Sequence, residues 1–289
     1  VLAYRKKYLL GGVITALFIA LQIQSNHIQM SYYFMFVILF FIIAYFVDAY
    51  EKKELPHFFK ASAILALAAV VGVCVNISNL YHTYEYSKET MRGKSELKQE
   101  GPAANQTSSG LDRDYITNWS YGIGETLTLL VPNVKGGGCS TTLSQNETAM
   151  AKANPMYGNL YSQLTPYFGD QPWTAGPVYV GAFVVFLFIL GCFIVKGPLK
   201  WALLGATIFS ILLSWGKNFM GLTDFFIDYI PMYNKFRAVS SILVIAEFTI
   251  PLLAIFALKE ILSKPDILKL KENRTGVIVT LVLTAGVAL

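Results

Sequence analysis

Seven separate runs of apolar residues, each bounded by charge or by turn residues, constrain this chain more than any other feature of it. They fall at 8–24, 32–47, 61–80, 176–195, 199–215, 238–258 and 275–289. A helix needs about 20 apolar residues to cross roughly 30 Å of hydrocarbon, and several of these runs approach that length, the first two being short. The residues are 54 % hydrophobic and only 14 % charged, with a mean hydropathy of +0.49, which sets the chain apart from a soluble domain. The expected fold is an all-α polytopic membrane protein: helices 1–3 in residues 1–80, a Tyr-, Gly- and Pro-rich loop over 81–175, and helices 4–7 in residues 176–289.

Lysine and arginine alternate between the loops. Arg5, Lys6 and Lys7, then Lys52, Lys53 and Lys60, then Lys196 and Lys200, then Lys259, Lys264, Lys269, Lys271 and Arg274 fall on one side. The positive-inside rule makes that side cytoplasmic and the long loop extracytoplasmic. The net charge of +5 is mostly these loops, so it reads as membrane orientation and not as nucleic-acid binding. The first two runs are separated only by residues 25–31; one continuous 40-residue helix would be about 60 Å long, so a tight hairpin is expected. The first residue is not Met and the last lies in an apolar run, which gives the expectation of an internal fragment of a longer protein.

The sixth run carries a carboxylate, Glu247, and is entered through Asn234, Lys235, Arg237 and Ser240. An ionisable group at membrane depth costs roughly 2.5–3.5 kcal/mol, so it marks a functional site by default. Helical spacing puts Ser240, Val244, Glu247 and Pro251 on one stripe, expected to face protein. A guanidinium beside an ammonium suits a phosphate or diphosphate, against the plainer reading of two snorkelling anchors. Asn26, His27, Gln29 and Tyr33 gather polar groups at the same outer boundary.

Within the long loop, residues 81–100 suggest an amphipathic helix and 101–110 a flexible linker. Beyond Leu111 the loop is dense in aromatic and turn residues, as in a site that stacks a sugar or in a belt at headgroup level. Glu125, in a glycine-hinged short apolar run, reads as a base or metal ligand, or as the cap of a short helix. Asn105, Asn118 and Asn146 each open an Asn-X-Ser/Thr triplet, a pattern compatible with outer exposure. Cys74, Cys139 and Cys192 have no metal spacing, and no phosphate-binding loop, zinc-protease or serine-esterase motif is present.

Four blocks in order, Ser25 to Tyr33, Trp119 to Asn133, Gly169 to Ala182 and Tyr233 to Ser240, resemble the bacterial YfhO membrane proteins, which are grouped with the GT-C glycosyltransferases. That resemblance implies a protein of the bacterial cytoplasmic membrane that takes a sugar from a polyprenyl-phosphate donor and passes it to an envelope glycopolymer, lipid or protein. It implies a catalytic acid in a first outer loop that this chain does not contain, leaving Glu125 and Asp170 as second-choice acids. Asn26, His27 and Tyr33 would orient phosphate or sugar. No cofactor is specified, and a divalent metal is left open. Two other classes compete: a non-catalytic membrane subunit of an envelope assembly, and a transporter of a lipid-linked substrate.

Overall fold

The computed structural model describes residues 1–93, 107 and 110–288. It is all-helical, 72 % helix with no strand among the described residues. The chain divides into two compact units, Val1–Asp112 with Lys196–Thr207, and Arg113–Val195 with Ile208–Leu289.

The first unit is built on α1 (Tyr8–Gln24), α2 (Ile28–Glu51) and α3 (Leu55–Cys74), followed by α4 (Ile77–Lys88). The expected hairpin is present: α1 and α2 are separate helices, and Asn26 turns between them with a φ of 58°. Small residues let α1 approach α3 closely, because a Cβ on Gly12 would stand 3.3 Å from Ile64 and one on Gly72 would stand 2.7 Å from the Ala16 carbonyl. At the lysine-rich end, the Tyr4 ring stacks on Tyr45 and Phe58, and His57 lies between the Tyr8 hydroxyl (2.6 Å) and the Tyr4 carbonyl (2.9 Å). This histidine is thereby satisfied as a structural group.

In the second unit α8 (Ala182–Ile194) packs along α11 (Val244–Ser263), and α12 (Lys271–Ala288) packs on α8. Gly191 makes the first contact possible, since a Cβ there would meet Leu253 Cγ at 3.1 Å and Ala257 Cβ at 3.3 Å. Helix α11 begins as a 3-10 turn, Val239–Leu243, and contains Pro251. Between these elements, α9 (Pro198–Ser214) breaks at Trp215, and residues Gly216–Tyr229, ending in α10 (Met220–Tyr229), leave at an angle of 107°.

Among the described residues, three helices are long and apolar enough to cross a membrane, Ile28–Glu51, Leu55–Cys74 and Val239–Ser263, and the bent pair makes a fourth if it counts as one span. Helices α1 and α8 are apolar but shorter. The expected run over 176–195 becomes only 13 helical residues, about 20 Å of helix at 1.5 Å per residue. Pro177 and the left-handed φ of Gly181, 110°, keep its first six residues out of the helix. The expected helix over 81–100 is met by α4 up to Lys88, while most of the 101–110 linker and Asn105 lie outside the described residues.

Candidate functional site

The second unit folds part of residues 113–180 onto the break after α9. Helix α5 (Arg113–Thr117) presents Arg113, whose two terminal nitrogens donate to Asp224 (2.7 Å) and Asp228 (2.6 Å) on α10. Four-residue spacing puts both carboxylates on one helical face, within the fork of one guanidinium. Just beyond, the buried Ser120 hydroxyl donates to the Thr117 carbonyl (2.6 Å) and accepts from the Lys217 amide (2.8 Å). Gly216 is obligatory there: its φ is 44° and a Cβ would sit 2.1 Å from Ser120 Oγ.

Glu125 opens a 3-10 turn, Gly124–Leu129, and is 2 % exposed. Its Oε2 accepts from the Gly122 amide (2.7 Å) and the Asp170 amide (3.3 Å), and its Oε1 accepts from the Tyr167 hydroxyl (2.6 Å). This geometry is that of a brace, which ties the turn at Gly122 to the segment Tyr167–Asp170. A Cβ on Gly169 would fall 2.3 Å from Oε1, so the brace needs glycine at that position. Burial, and then the hydrogen bond to Glu125, raise the Tyr167 phenol above its ordinary range, and burial raises Tyr121. Tyr121 and Thr128 share a short hydroxyl contact beneath Glu125. Tyr121, Glu125, Thr128, Lys135, Tyr167 and Gln171 help to line a small cavity with room for about one water molecule.

Asp170 is exposed, in contrast. Its Oδ2 accepts from Asn218 Nδ2 (2.9 Å), and its carbonyl accepts from Lys217 Nζ (3.0 Å). Asp170 Oδ2 and Glu125 Oε2 converge on Gly122, where a Cβ would lie 2.9 Å and 3.0 Å from them. The two second-choice acids are thus neighbours with different environments, one dry and fully bonded, the other open to solvent.

The cations stand at the mouth of α11. Met232 and Ala238, with φ of 68° and 57°, bracket the segment holding a 3-10 turn, Tyr233–Lys235, and Arg237. Arg237 Nη1 donates to the Tyr115 hydroxyl (2.8 Å), and its guanidinium carbon lies 5.8 Å and 5.9 Å from the ring centres of Tyr115 and Trp119. Trp119 is itself held, donating from Nε1 to the Trp173 carbonyl (3.0 Å) and accepting at its carbonyl from the Ser240 amide (3.1 Å). The Ser240 hydroxyl reaches Gln171 Oε1 at 3.2 Å, the residue after Asp170. Burial lowers the pKa of the Lys235 ammonium, which disfavours its charge unless an anion meets it. Asn234 lies in the same 3-10 turn, half-buried.

Glu247 departs from expectation. The packed face of α11 is Ile245, Ala246, Thr249, Ile250, Leu253, Ala254 and Ala257, whereas Glu247 is exposed on another face, with no hydrogen bond or ion pair among the described residues. Bulky Ile and Leu side chains fill the space against α8 and leave the carboxylate outside it.

Asn26, His27, Gln29 and Tyr33 belong to the first unit. His27 Nδ1 accepts from the Met30 amide (3.4 Å) and caps α2, Asn26 Oδ1 accepts from Asn79 (3.2 Å), and Gln29 Nε2 donates to the buried Tyr33 hydroxyl (2.9 Å). Among the described residues, no three His, Cys, Asp or Glu side chains are grouped so as to hold a metal ion.

Sequence reasoning did not pick out Tyr115 or Asn218, which hold Arg237 and Asp170, and it placed Tyr167 and Lys217 only among the loop aromatics and the outer-side cations, not as partners of Glu125 and Asp170. The one signal available was Gly216, Lys217 and Asn218, which close the apolar run ending at Trp215. Comparison with protein-family models, with curated proteins and with solved structures finds no match to this chain.

Proposed function

We propose that this chain is part of a membrane glycosyltransferase of the GT-C type, one that moves a sugar from a polyprenyl-phosphate donor to an envelope acceptor outside the cytoplasm of a bacterium. The observation that carries this reading is Arg237, fixed at the mouth of α11 by the Tyr115 hydroxyl and the ring of Trp119. A guanidinium whose position is already set meets a phosphate with less ordering cost than a mobile side chain. In this reading α1, α8, α9 and α12 join the three longer helices as spans, giving seven.

Arg237 and Lys235 hold the donor phosphate and stabilise the charge that grows on it as the bond to the sugar breaks. Trp119 and Trp173 offer faces for the sugar ring. Asp170 is the better of the two acids in this chain, because its carboxylate is exposed while all the bonding of Glu125 is directed into the loop. An exposed carboxylate can take the proton of an acceptor hydroxyl as that oxygen attacks the anomeric carbon from the opposite side.

The test is binding of a polyprenyl-phosphate sugar to the reconstituted protein, native against Arg237→Ala, with sugar release followed by mass spectrometry. Binding that falls at least tenfold in the variant, about 1.4 kcal/mol, together with turnover in the native protein, supports the reading; equal binding in both sinks it. A second reading, a non-catalytic subunit of an envelope assembly, is favoured by one observation: the cavity beside Glu125 holds about one water and not a sugar. Native protein that binds the donor without turnover would bring that reading forward.

A further inference from the structure

Helix α4 is an element that the proposed chemistry leaves unused. It follows α3 after a two-residue break, at Val75 and Asn76, and none of its twelve residues is buried. A helix of this length is marginal in water by itself, so it needs a surface to lie on.

Its start is fixed in depth. Asn76 Nδ2 donates to the Ala20 carbonyl near the end of α1 (2.9 Å), and Asn79 Nδ2 donates to Asn26 Oδ1 in the turn between α1 and α2 (3.2 Å). Helix α4 therefore begins level with the turn where the chain leaves the apolar layer of α1 and α2.

Its side chains sort by face. At 100° per residue Ile77, Leu80, Tyr81, Tyr84 and Lys88 share one stripe, while Asn79, His82 and one tyrosine, Tyr86, lie on the far side. Asn79 is the residue bonded to Asn26, so the apolar stripe is turned away from that turn. Ile77, Tyr81 and Tyr84 are 59 %, 60 % and 62 % exposed, and Lys88 Nζ stands 4.5 Å from the Tyr84 ring centre. Tyrosines with one lysine at the end of an apolar stripe, continuous with a helix able to cross the membrane, match the boundary between hydrocarbon and headgroups.

We propose that α4 is an interfacial helix: Ile77, Leu80, Tyr81 and Tyr84 enter the lipid at headgroup depth, and the Lys88–Glu85 ion pair (2.7 Å) lies at the headgroup end of the stripe. The occupant of this face is the membrane surface itself. The inference is independent of the glycosyltransferase reading.

The experiment uses the full chain in vesicles of phosphatidylethanolamine and phosphatidylglycerol, with Cys74, Cys139 and Cys192 replaced by serine. Single spin labels are placed through Tyr81→Cys, Tyr84→Cys and His82→Cys, all at exposed positions, and their collisions with oxygen and with a water-soluble nickel chelate are compared. Labels at 81 and 84 should meet oxygen more than nickel, and the label at 82 the reverse. Water-like collision at all three overturns the proposal. So does a label at 81 or 84 that is immobilised and shielded from both reagents, which would mean that protein covers the face.

Discussion

Oε2 of Glu125 lies 3.3 Å from the backbone nitrogen of Asp170, so a buried carboxylate holds the main chain of an exposed one. The buried carboxylate helps to set where the exposed one stands. This division of labour predicts different outcomes for the two residues.

Glu125→Ala should destabilise the second unit. Three donors lose their acceptor, and each one left unsatisfied in a buried site costs about 1–3 kcal/mol, so a loss on the order of 3 kcal/mol or more is expected. Limited proteolysis of the 113–180 segment in detergent reads it directly. Asp170→Asn should leave that cleavage rate unchanged while abolishing any sugar transfer; rapid cleavage of both variants would contradict the division.

Alkaline pH should loosen the same brace. The Tyr167 phenol has its folded-state value raised, by burial first and then by its bond to Glu125. Its contribution to stability is therefore fully present below the ordinary tyrosine value of about 10 and is lost as pH rises beyond that toward the elevated folded value. Ultraviolet titration of the native protein should show a late phenolate step that is smaller by one tyrosine in Tyr167→Phe, Tyr121 being raised as well. A single common step in both proteins would refute the assignment.

Arg237→Lys should fail to restore what Arg237→Ala loses. Lysine keeps the charge but not the planar group that lies against Tyr115 and Trp119. Donor affinity within about threefold of the native value in the lysine variant, a difference of roughly 0.7 kcal/mol, would show that charge alone suffices.

Gly191→Val should weaken the packing of α8 on α11. The added atoms meet Leu253 and Ala257, already 3.1 Å and 3.3 Å from a bare Cβ position. Overpacking of this kind costs typically 1–3 kcal/mol. Thermal unfolding in detergent is the readout, and an unchanged midpoint would mean that the two helices do not meet as described.

Arg113→Gln should cost about 1 kcal/mol, as is usual for a partly exposed ion pair. The cost should shrink when Asp224→Asn and Asp228→Asn are already present, because the three side chains form one network. Additive effects in the double-mutant cycle would separate Arg113 from them.

Much of the helical framework is legible in the sequence where apolar periodicity meets no competing signal, and α1 has the bounds expected for it. Boundaries moved where side chains intervened. His27 starts α2 earlier than its apolar run, and Pro56 in the first turn starts α3 at Leu55. Asn76, reaching across to Ala20, sits where α3 has already ended. The face of α11 was misread because periodicity groups Glu247 with Ser240 but says nothing of which neighbour is bulky. The site was half legible: Arg237 and Asp170 stood out by charge, whereas Tyr115 lies 122 residues from Arg237 and Asn218 lies 48 from Asp170, so that folding alone brings each to its partner.

Pro251 has a consequence for what covers α11. Proline has no amide hydrogen, so the carbonyl four residues earlier, that of Glu247, lacks its helical donor. Glu247 therefore carries two kinds of acceptor at one level of the helix, a peptide oxygen and a carboxylate, on an exposed face. Hydroxyl and amine groups are the partners that could bond that level of the helix, because it offers acceptors.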